Sequence, residues 1–171
     1  MKKMIALAAA FLVVGSFTVQ AQQADKKPVK SPRVTSSSDY ATISYGQPSK
    51  NGREIFGKLV PYGEIWRTGA NMSTDVTFTK DVELDGKKIE KGTYSLFTIP
   101  TDIAWMVMFN AVPEQRGASE YDDNKSKDVA KFRVPVEKTD AVVEKLTITP
   151  EKEGITISWD QTKVLIPVKV L

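Results

Sequence analysis

The residue types best suited to chemistry lie together in WRTGAN at 66–71, called here the WRTGAN loop. Trp66 could stack on a sugar face or another flat group, and Arg67 could bind a carboxylate or phosphate with its planar fork of donors. Gly69 would let the backbone approach a ligand closely, and Asn71 offers both a donor and an acceptor. These types at this spacing indicate a candidate ligand-binding loop.

A structural corner is the alternative interpretation of the WRTGAN loop. Trp66 could plug the end of a β-sandwich while Arg67 bonds to loop carbonyls. Gly69 could serve only to supply a positive φ, and Asn71 could form an Asx turn that leads into the next strand. The sequence leaves both interpretations open.

A second candidate is the polar stretch EYDDNKSKD at 120–128. Tyr121 and Asp122 join the WRTGAN residues as hypothetical ligand contacts. A weak calcium site is conceivable, because oxygen side chains alternate at Asp122, Asn124, Ser126 and Asp128. However, the sixth position of that pattern is Lys127 rather than Gly and the twelfth is Arg133 rather than Glu, so the EF-hand pattern fails. We therefore predict a solvated loop and no metal site.

The absent residue types restrict the chemistry further. The chain has no histidine and no cysteine, which excludes Ser-His-Asp and Cys-His catalysis as usually built and zinc sites of the His/Cys type. Acid–base catalysis would fall to carboxylates, Lys or Tyr. A glycosidase needs two carboxylates about 5 to 9 Å apart across a cleft, and no spacing singles out a pair among Glu54, Glu64, Asp75, Asp122 and Asp128.

The N-terminus has the pattern of an export signal over residues 1–21. Two lysines precede an apolar run at 4–14, and the small-residue end VQA follows at 19–21. The apolar run is shorter than the roughly 20 residues that span a bilayer. We expect cleavage before Gln22 and a location in the periplasm or outside the cell, with an uncleaved anchor as the alternative. Sequencing the N-terminus of the mature protein tests this, and a mature chain that starts at Met1 would contradict it.

The charge balance argues against a nucleic-acid partner. The chain has 24 Lys and Arg against 21 Asp and Glu, a net charge of +3, and two of the lysines lie in the expected signal. Binding to nucleic acid needs a clustered basic face, and no long basic run occurs. We expect no cofactor and no transmembrane segment after the signal, and the oligomeric state stays open.

The rest of the chain divides into a polar, proline-bearing lead-in at 22–33 and a single domain at 34–171. Alternating apolar and polar residues predict strands at 39–45, 74–80, 82–84, 88–90, 93–99, 104–109, 129–136, 143–149, 155–159 and 164–170. The strand at 104–109 is apolar on both faces, which predicts a central position. Asp85-Gly86 predicts a tight type I′ hairpin.

One segment departs from the strand pattern. Residues 53–60 place Ile55, Phe56, Leu59 and Val60 at helical spacing, which favours a short helix or a wound turn. Residues 111–127 are predicted to be a long polar loop, and Trp159 is interpreted as a core residue. Together the elements predict an all-β fold, an antiparallel β-sandwich, jelly-roll-like or similar, with one short helix.

Several segments resemble a known family. They are SPR at 31–33, ISYGQPSKNGREIFGKLVPYGEIWRTGAN at 43–71, KGTYSLFTIP at 91–100, W-x-V-x-FN at 105–110, YD at 121–122, KD at 127–128 and W-x-x-T-K-V at 159–164. In this order they resemble the secreted domain of unknown function 2911, found mainly in bacteria of the Bacteroidetes group. The resemblance covers almost the whole chain after the signal. It implies an exported, mostly β domain, and it implies no reaction.

The preferred functional interpretation is a non-enzymatic ligand-binding or envelope-associated module with a small-molecule or glycan ligand at the WRTGAN loop. One alternative is a histidine-free hydrolase that acts on glycans through carboxylates, and a cleft with two converging acids would favour it. The other alternative is a structural partner in an envelope assembly, which a large exposed apolar patch without a pocket would favour.

Overall fold

The computed structural model describes residues 31–171, so the predicted signal and most of the lead-in lie outside the described residues. Within that range ten strands form two antiparallel sheets, in the orders β1-β2-β3-β6-β7-β8-β9 and β10-β4-β5. The strands are β1 (Arg33–Ser37), β2 (Ala41–Gly46), β3 (Thr74–Phe78), β4 (Val82–Leu84), β5 (Lys87–Ile89), β6 (Gly92–Ile99), β7 (Ala104–Asn110), β8 (Asp128–Glu151), β9 (Gly154–Pro167) and β10 (Lys169–Val170). The predicted all-β antiparallel fold is confirmed.

The central position predicted for 104–109 is confirmed, because β7 pairs with β6 on one side and with β8 on the other. Trp105, Val107 and Phe109 point into the main core on one face. The side chain of Met108 points to the opposite face of the strand and packs with Phe97 there. A strand that is buried on both faces gives a continuous apolar run in the sequence, and AWMVMF is such a run.

The long strand β8 bends the sheet into a half-barrel. Its first part, 128–135, pairs with β7, and the remainder pairs with β9 across two irregularities in register. The N–H of Leu146 donates to the carbonyl of Pro48 at 3.0 Å, and the N–H of Lys50 donates to that of Glu144 at 2.7 Å. The second half of β8 therefore folds back onto the chain that follows β2, where the candidate site is built.

The hairpin predicted at Asp85-Gly86 is confirmed. The two residues have φ values of 48° and 76°, and the strands on either side, β4 and β5, pair directly. A type I′ turn needs positive φ at both central residues, and its twist matches that of the strands. The small sheet thereby brings Val82, Leu84 and Ile89 onto the core.

The predicted helix at 53–60 is wrong, and the segment is the wound turn that was its alternative. Gly57 has a φ of +92°, which leaves the helical region, and the N–H of Val60 donates to the carbonyl of Ile55 at 2.9 Å. Ile55 and Val60 are nevertheless buried. The apolar spacing thus marked Ile55 and Val60 correctly as buried, whereas Phe56 is half-buried and Leu59 is 44% exposed.

The short helix lies instead at α1 (Ala118–Asn124), inside the segment predicted to be a polar loop. Seven residues are too few for a helix to be stable by itself in water. Tyr121, its buried residue, packs against Phe97 with ring centroids 4.7 Å apart. A polar helix that depends on a single aromatic contact has no apolar periodicity, so the sequence did not indicate it.

Strand β1 was also not predicted. It begins at Arg33, the last residue of the predicted lead-in, and pairs along its length with β2. Its sequence, RVTSS, holds one large apolar residue, Val34, and alternates only between exposed and half-buried positions. As an edge strand it is ordered by the ladder to β2 rather than by burial, and such a strand leaves little trace in an apolar pattern.

Tyr40 makes the stability of the fold sensitive to alkaline pH. Its hydroxyl lies 2.9 Å from the carbonyl oxygens of both Glu151 and Gly154, so only the protonated form can donate there. Burial, and then the nearby charges of Asp39 and Glu151, raise the pKa of Tyr40 from 10.0 to about 12. Because the pKa is higher in the folded state, this contribution is complete below pH 10 and is lost as the pH rises to 12.

We therefore expect the free energy of unfolding to fall between pH 10 and 12, and to fall less steeply in Tyr40→Phe. Urea unfolding of both proteins at several pH values across this window measures the two slopes. The lysines titrate in both proteins alike, so the difference between the slopes belongs to Tyr40. Equal slopes for the two proteins would show that Tyr40 does not carry the effect.

Candidate functional site

A cleft of about 360 Å³ opens beside the WRTGAN loop and is called here the WRTGAN cleft. Its walls come from the connection between β2 and β3, from the chain just before β1, and from β9. All four predicted residues of the loop line it, namely Trp66, Arg67, Gly69 and Asn71. The side chains that the structure adds to them include Arg53, Asn51, Gln47 and Trp159.

Trp66 is fixed in the wall by both its backbone and its ring. Its N–H and carbonyl exchange hydrogen bonds with Thr98 of β6, at 2.7 and 2.9 Å. The indole Nε1 donates to the carbonyl of Gly69 at 3.2 Å. The ring lies nearly parallel to that of Trp159, 18° between planes and 6.2 Å between centroids. The buried Trp159 ring, 2% exposed, supports the half-buried Trp66 ring, so Trp66 is a rigid aromatic surface that a flat ligand could contact.

Arg67 holds its own loop together and also lines the cleft. Its Nη1 donates to the carbonyl of Asn71 and, at 3.4 Å, to that of Arg116. Its Nε and Nη2 have no hydrogen-bond partner among residues 31–171. These two nitrogens form the edge that binds a carboxylate with two parallel hydrogen bonds. One side chain therefore ties down the loop and also keeps donors that a ligand could use.

The glycine and the asparagine of the loop are required by backbone geometry. A Cβ on Gly69 would lie 3.0 Å from Thr74 Oγ1 and 3.1 Å from the carbonyl oxygen of Gly46, so Gly69 allows close packing rather than a positive φ. The positive φ values fall on Thr68 and Asn71, at 54° and 68°. Asn71 also donates from Nδ2 to the carbonyl of Ser31 at 3.2 Å, which holds the start of the described chain against the cleft.

The structure does not bring Tyr121 and Asp122 to the WRTGAN cleft. Tyr121 is buried, and its hydroxyl donates to Asp128 Oδ2 at 2.8 Å. Burial, and then this hydrogen bond, raise the pKa of Tyr121 well above its ordinary value. Asp122 is an exposed residue on α1. Tyr121 therefore anchors α1, and neither residue lines the cleft.

The oxygens of the weak calcium candidate are engaged by other side chains of the protein. Asp128 accepts from Asn110 Nδ2 at 2.8 Å as well as from Tyr121. Asn124 Oδ1 accepts from Lys127 Nζ at 3.0 Å, and Asp122 points away as an exposed residue. Within 31–171, no three Asp or Glu side chains are grouped so that they could hold a metal ion.

Carboxylates are absent from the part of the WRTGAN cleft that residues 31–171 form. A separate depression of about 490 Å³ does carry two acids, Asp39 and Glu151. Asp39 lies 3.5 Å from Lys80 Nζ, and Glu151 Oε2 accepts from Thr156 at 3.1 Å. Both acids are exposed, so they have the character of solvated surface rather than of a catalytic pair.

A buried polar network behind the loop was missed by sequence reasoning. Asp75 is 6% exposed, and its Oδ1 accepts from Ser73 Oγ at 3.0 Å and from the N–H of Glu114 at 3.1 Å. Ser95 Oγ lies 3.2 Å from the same oxygen and donates to the carbonyl of Val112 at 2.6 Å. Its Oδ2 lies 3.0 Å from Arg33 Nη2. The network ties β1, β3, β6 and the segment after β7 together. An acid in an alternating strand is typical of a solvent-facing position, so nothing in the sequence indicated that Asp75 is buried.

Trp159 and Arg53 were likewise not predicted to contribute to the site. Trp159 is buried as expected for a core residue, but one part of it also lines the WRTGAN cleft. Arg53 donates from Nε to the carbonyl of Lys50 at 3.0 Å and from Nη2 to that of Ser49. The signal that could have drawn attention to Arg53 is its place in a turn between two glycines, Gly52 and Gly57.

Of the comparisons with known proteins, the one with protein families agrees with the resemblance seen in the sequence. No curated protein and no solved structure matches the chain. Across residues 31–171, no helix has the length and apolar character needed to cross a membrane. The model of one family matches residues 27–168, which is most of the chain. The chain belongs to that family, described as protein of unknown function (DUF2911).

Proposed function

We propose that this protein is an exported, non-enzymatic ligand-binding module whose binding site is the WRTGAN cleft. The observation that carries the proposal is the composition of the cleft walls. Two indoles and two arginines line it together with amide side chains, and no Asp or Glu from residues 31–171 does. Its volume of about 360 Å³ lies within the usual range of small-molecule sites, roughly 300 to 1,000 Å³.

The walls match a ligand that carries both a ring and an acidic group. The ring would contact the exposed part of the Trp66 indole, which Trp159 holds in place from behind, so this aromatic surface is rigid and costs little entropy to use. The carboxylate would accept two hydrogen bonds from Nε and Nη2 of Arg67. Hydroxyl groups would bond with the carboxamides of Asn51 and Asn71. Small acidic sugars, such as uronic acids, combine these features.

The same walls weigh against the rival functions. A carboxylate-based hydrolase needs two acids across its cleft, and the described walls supply none. A purely structural partner would be favoured by a large exposed apolar patch without a pocket, whereas the WRTGAN loop lines a cleft. We therefore favour binding without catalysis at this site.

A binding experiment with a conservative variant tests the proposal. We expect glucuronate to bind, and glucose, which has the same ring but no carboxylate, to bind at least tenfold more weakly. Arg67→Lys keeps the charge but loses the planar fork, so it should weaken glucuronate binding by roughly 10- to 100-fold, as expected for charge-assisted hydrogen bonds of about 1.5–3 kcal/mol. Isothermal titration calorimetry measures all three affinities.

Arg116→Lys is the matched control. Arg116 is exposed, and only its carbonyl meets Arg67, so this variant should bind glucuronate like the unmodified protein. Circular dichroism and urea unfolding check that both variants are folded. The proposal fails if glucuronate does not bind at millimolar concentration, or if a folded Arg67→Lys binds it as tightly as the unmodified protein.

A further inference from the structure

A second pocket of about 170 Å³ adjoins the WRTGAN cleft and is called here the side pocket. The residues that line both spaces are Leu59, Val60, Trp66 and Arg67. Trp66 and Arg67 therefore belong to a wall that the cleft and the side pocket share. A ligand held by Arg67 in the cleft would have its next covalent unit directed along this shared wall.

The side pocket differs from the cleft in its chemistry. Pro61, Ile65 and Ala118 give it further apolar walls, and Glu64 gives it a carboxylate. The cleft has arginines and no described acid, whereas the side pocket has one acid beside Arg67. A carboxylate here accepts hydrogen bonds from hydroxyl groups and repels a second carboxylate. An acidic ligand unit would therefore be attracted by the arginines of the cleft and repelled by the carboxylate of the side pocket.

The size of the side pocket also limits its occupant. At about 170 Å³ it has less than half the volume of the cleft, and it lies below the usual size of an independent small-molecule site. It is therefore suited to one additional ring that is tethered to a unit already bound. Tethering makes the second contact intramolecular, so even a weak second contact raises the affinity.

From these observations we infer that the ligand is a disaccharide, or the end of a longer chain, in which an acidic sugar is joined to a neutral sugar. The acidic unit occupies the WRTGAN cleft against Arg67, and the neutral unit occupies the side pocket with its hydroxyl groups toward Glu64. This inference rests on the proposed function, since it requires that the cleft bind an acidic ring.

Three probes of one linkage test the inference by isothermal titration calorimetry. They are glucuronate, a β-1,4 disaccharide of glucuronate and glucose, and a β-1,4 disaccharide of two glucuronates. We expect the disaccharide with glucose to bind about tenfold more tightly than glucuronate, and the diacid to gain less. Glu64→Gln removes the repulsion, so in this variant the affinities for the two disaccharides should converge.

Blocking the side pocket gives an independent readout. Ala118→Leu fills it from α1, and this variant should bind glucuronate normally while losing the gain from the second sugar. Ser119→Leu is the control, because Ser119 is exposed and lines neither compartment. The inference is overturned if glucuronate binds but the disaccharide with glucose binds no more tightly, or if Ala118→Leu leaves that gain intact. Absence of glucuronate binding would instead reject the proposed function itself.

Discussion

Asp75→Ala is expected to lower the free energy of unfolding by about 3 kcal/mol, because it leaves the buried Ser73 hydroxyl and the part-buried N–H of Glu114 without the acceptor that Asp75 Oδ1 provides. The Ser95 hydroxyl, 3.2 Å from the same oxygen, keeps a closer acceptor in the carbonyl of Val112 at 2.6 Å. The ion pair with Arg33 adds less, since the Arg33 side chain is 40% exposed and its charge remains solvated. Urea unfolding followed by tryptophan fluorescence measures the change.

Two control variants separate the contributions at Asp75. Arg33→Ala removes the ion pair but keeps the acceptor, so it should cost about 1 kcal/mol or less. Asp122→Ala removes an exposed carboxylate and should change the free energy of unfolding by less than about 0.5 kcal/mol. If Arg33→Ala destabilises the protein as much as Asp75→Ala, the ion pair rather than the buried donors holds this part of the fold together.

Gly46→Ala should both destabilise the protein and damage the cleft. A Cβ on Gly46 would lie 2.0 Å from the carbonyl oxygen of Ala70. No rotamer change can relieve this distance, because the backbone fixes the position of the Cβ and the oxygen is itself a backbone atom. The WRTGAN loop would have to move away from β2, which would also break the hydrogen bond from the Ala70 N–H to the Gly46 carbonyl, 3.2 Å long. We expect a loss of about 3 kcal/mol in urea unfolding and at least tenfold weaker glucuronate binding.

Gly92→Ala is the control for this substitution. The nearest atom to a Cβ at Gly92 is the Tyr94 hydroxyl oxygen at 3.5 Å, an ordinary contact, so the free energy of unfolding should change by less than about 1 kcal/mol. A Gly46→Ala protein that is as stable as Gly92→Ala and binds glucuronate normally would show that the loop is not pressed against β2 in solution.

Local features of the site could be predicted from the sequence, and distant ones could not. Trp66, Arg67, Gly69 and Asn71 are close in the chain, so a single turn necessarily brings them together. Trp159, which is distant in the chain, reaches the same cleft only because β9 pairs with the second half of β8. Arg53 reaches it because the connection between β2 and β3 turns back on itself. A bend set by irregular register within a long strand has no short sequence signature.

The same distinction between local and distant contacts explains why the segment 53–60 and the helix α1 differ from their predictions. The helical spacing at 53–60 predicted the burial of Ile55 and Val60 but not the exposure of Leu59, because the positive φ of Gly57 makes the backbone a turn rather than a helix. The helix α1 forms from polar residues because Tyr121 finds Phe97 across the sheet. In both cases a tertiary contact or a single backbone angle overrides a weak local preference.

The sequence by itself determined the fold class, the β4–β5 hairpin, the central place of β7 and the chemical character of the WRTGAN loop. These follow from a two-residue period, from the φ preferences of Asp-Gly and from side chains that are neighbours in the chain. Only the tertiary structure decided that Asp75 is buried and that the described walls of the cleft carry no acid. Only the structure showed that Arg67 donates to the loop carbonyl of Asn71 and also lines the cleft. Those properties depend on which distant segments meet, and a local pattern carries no information about such contacts.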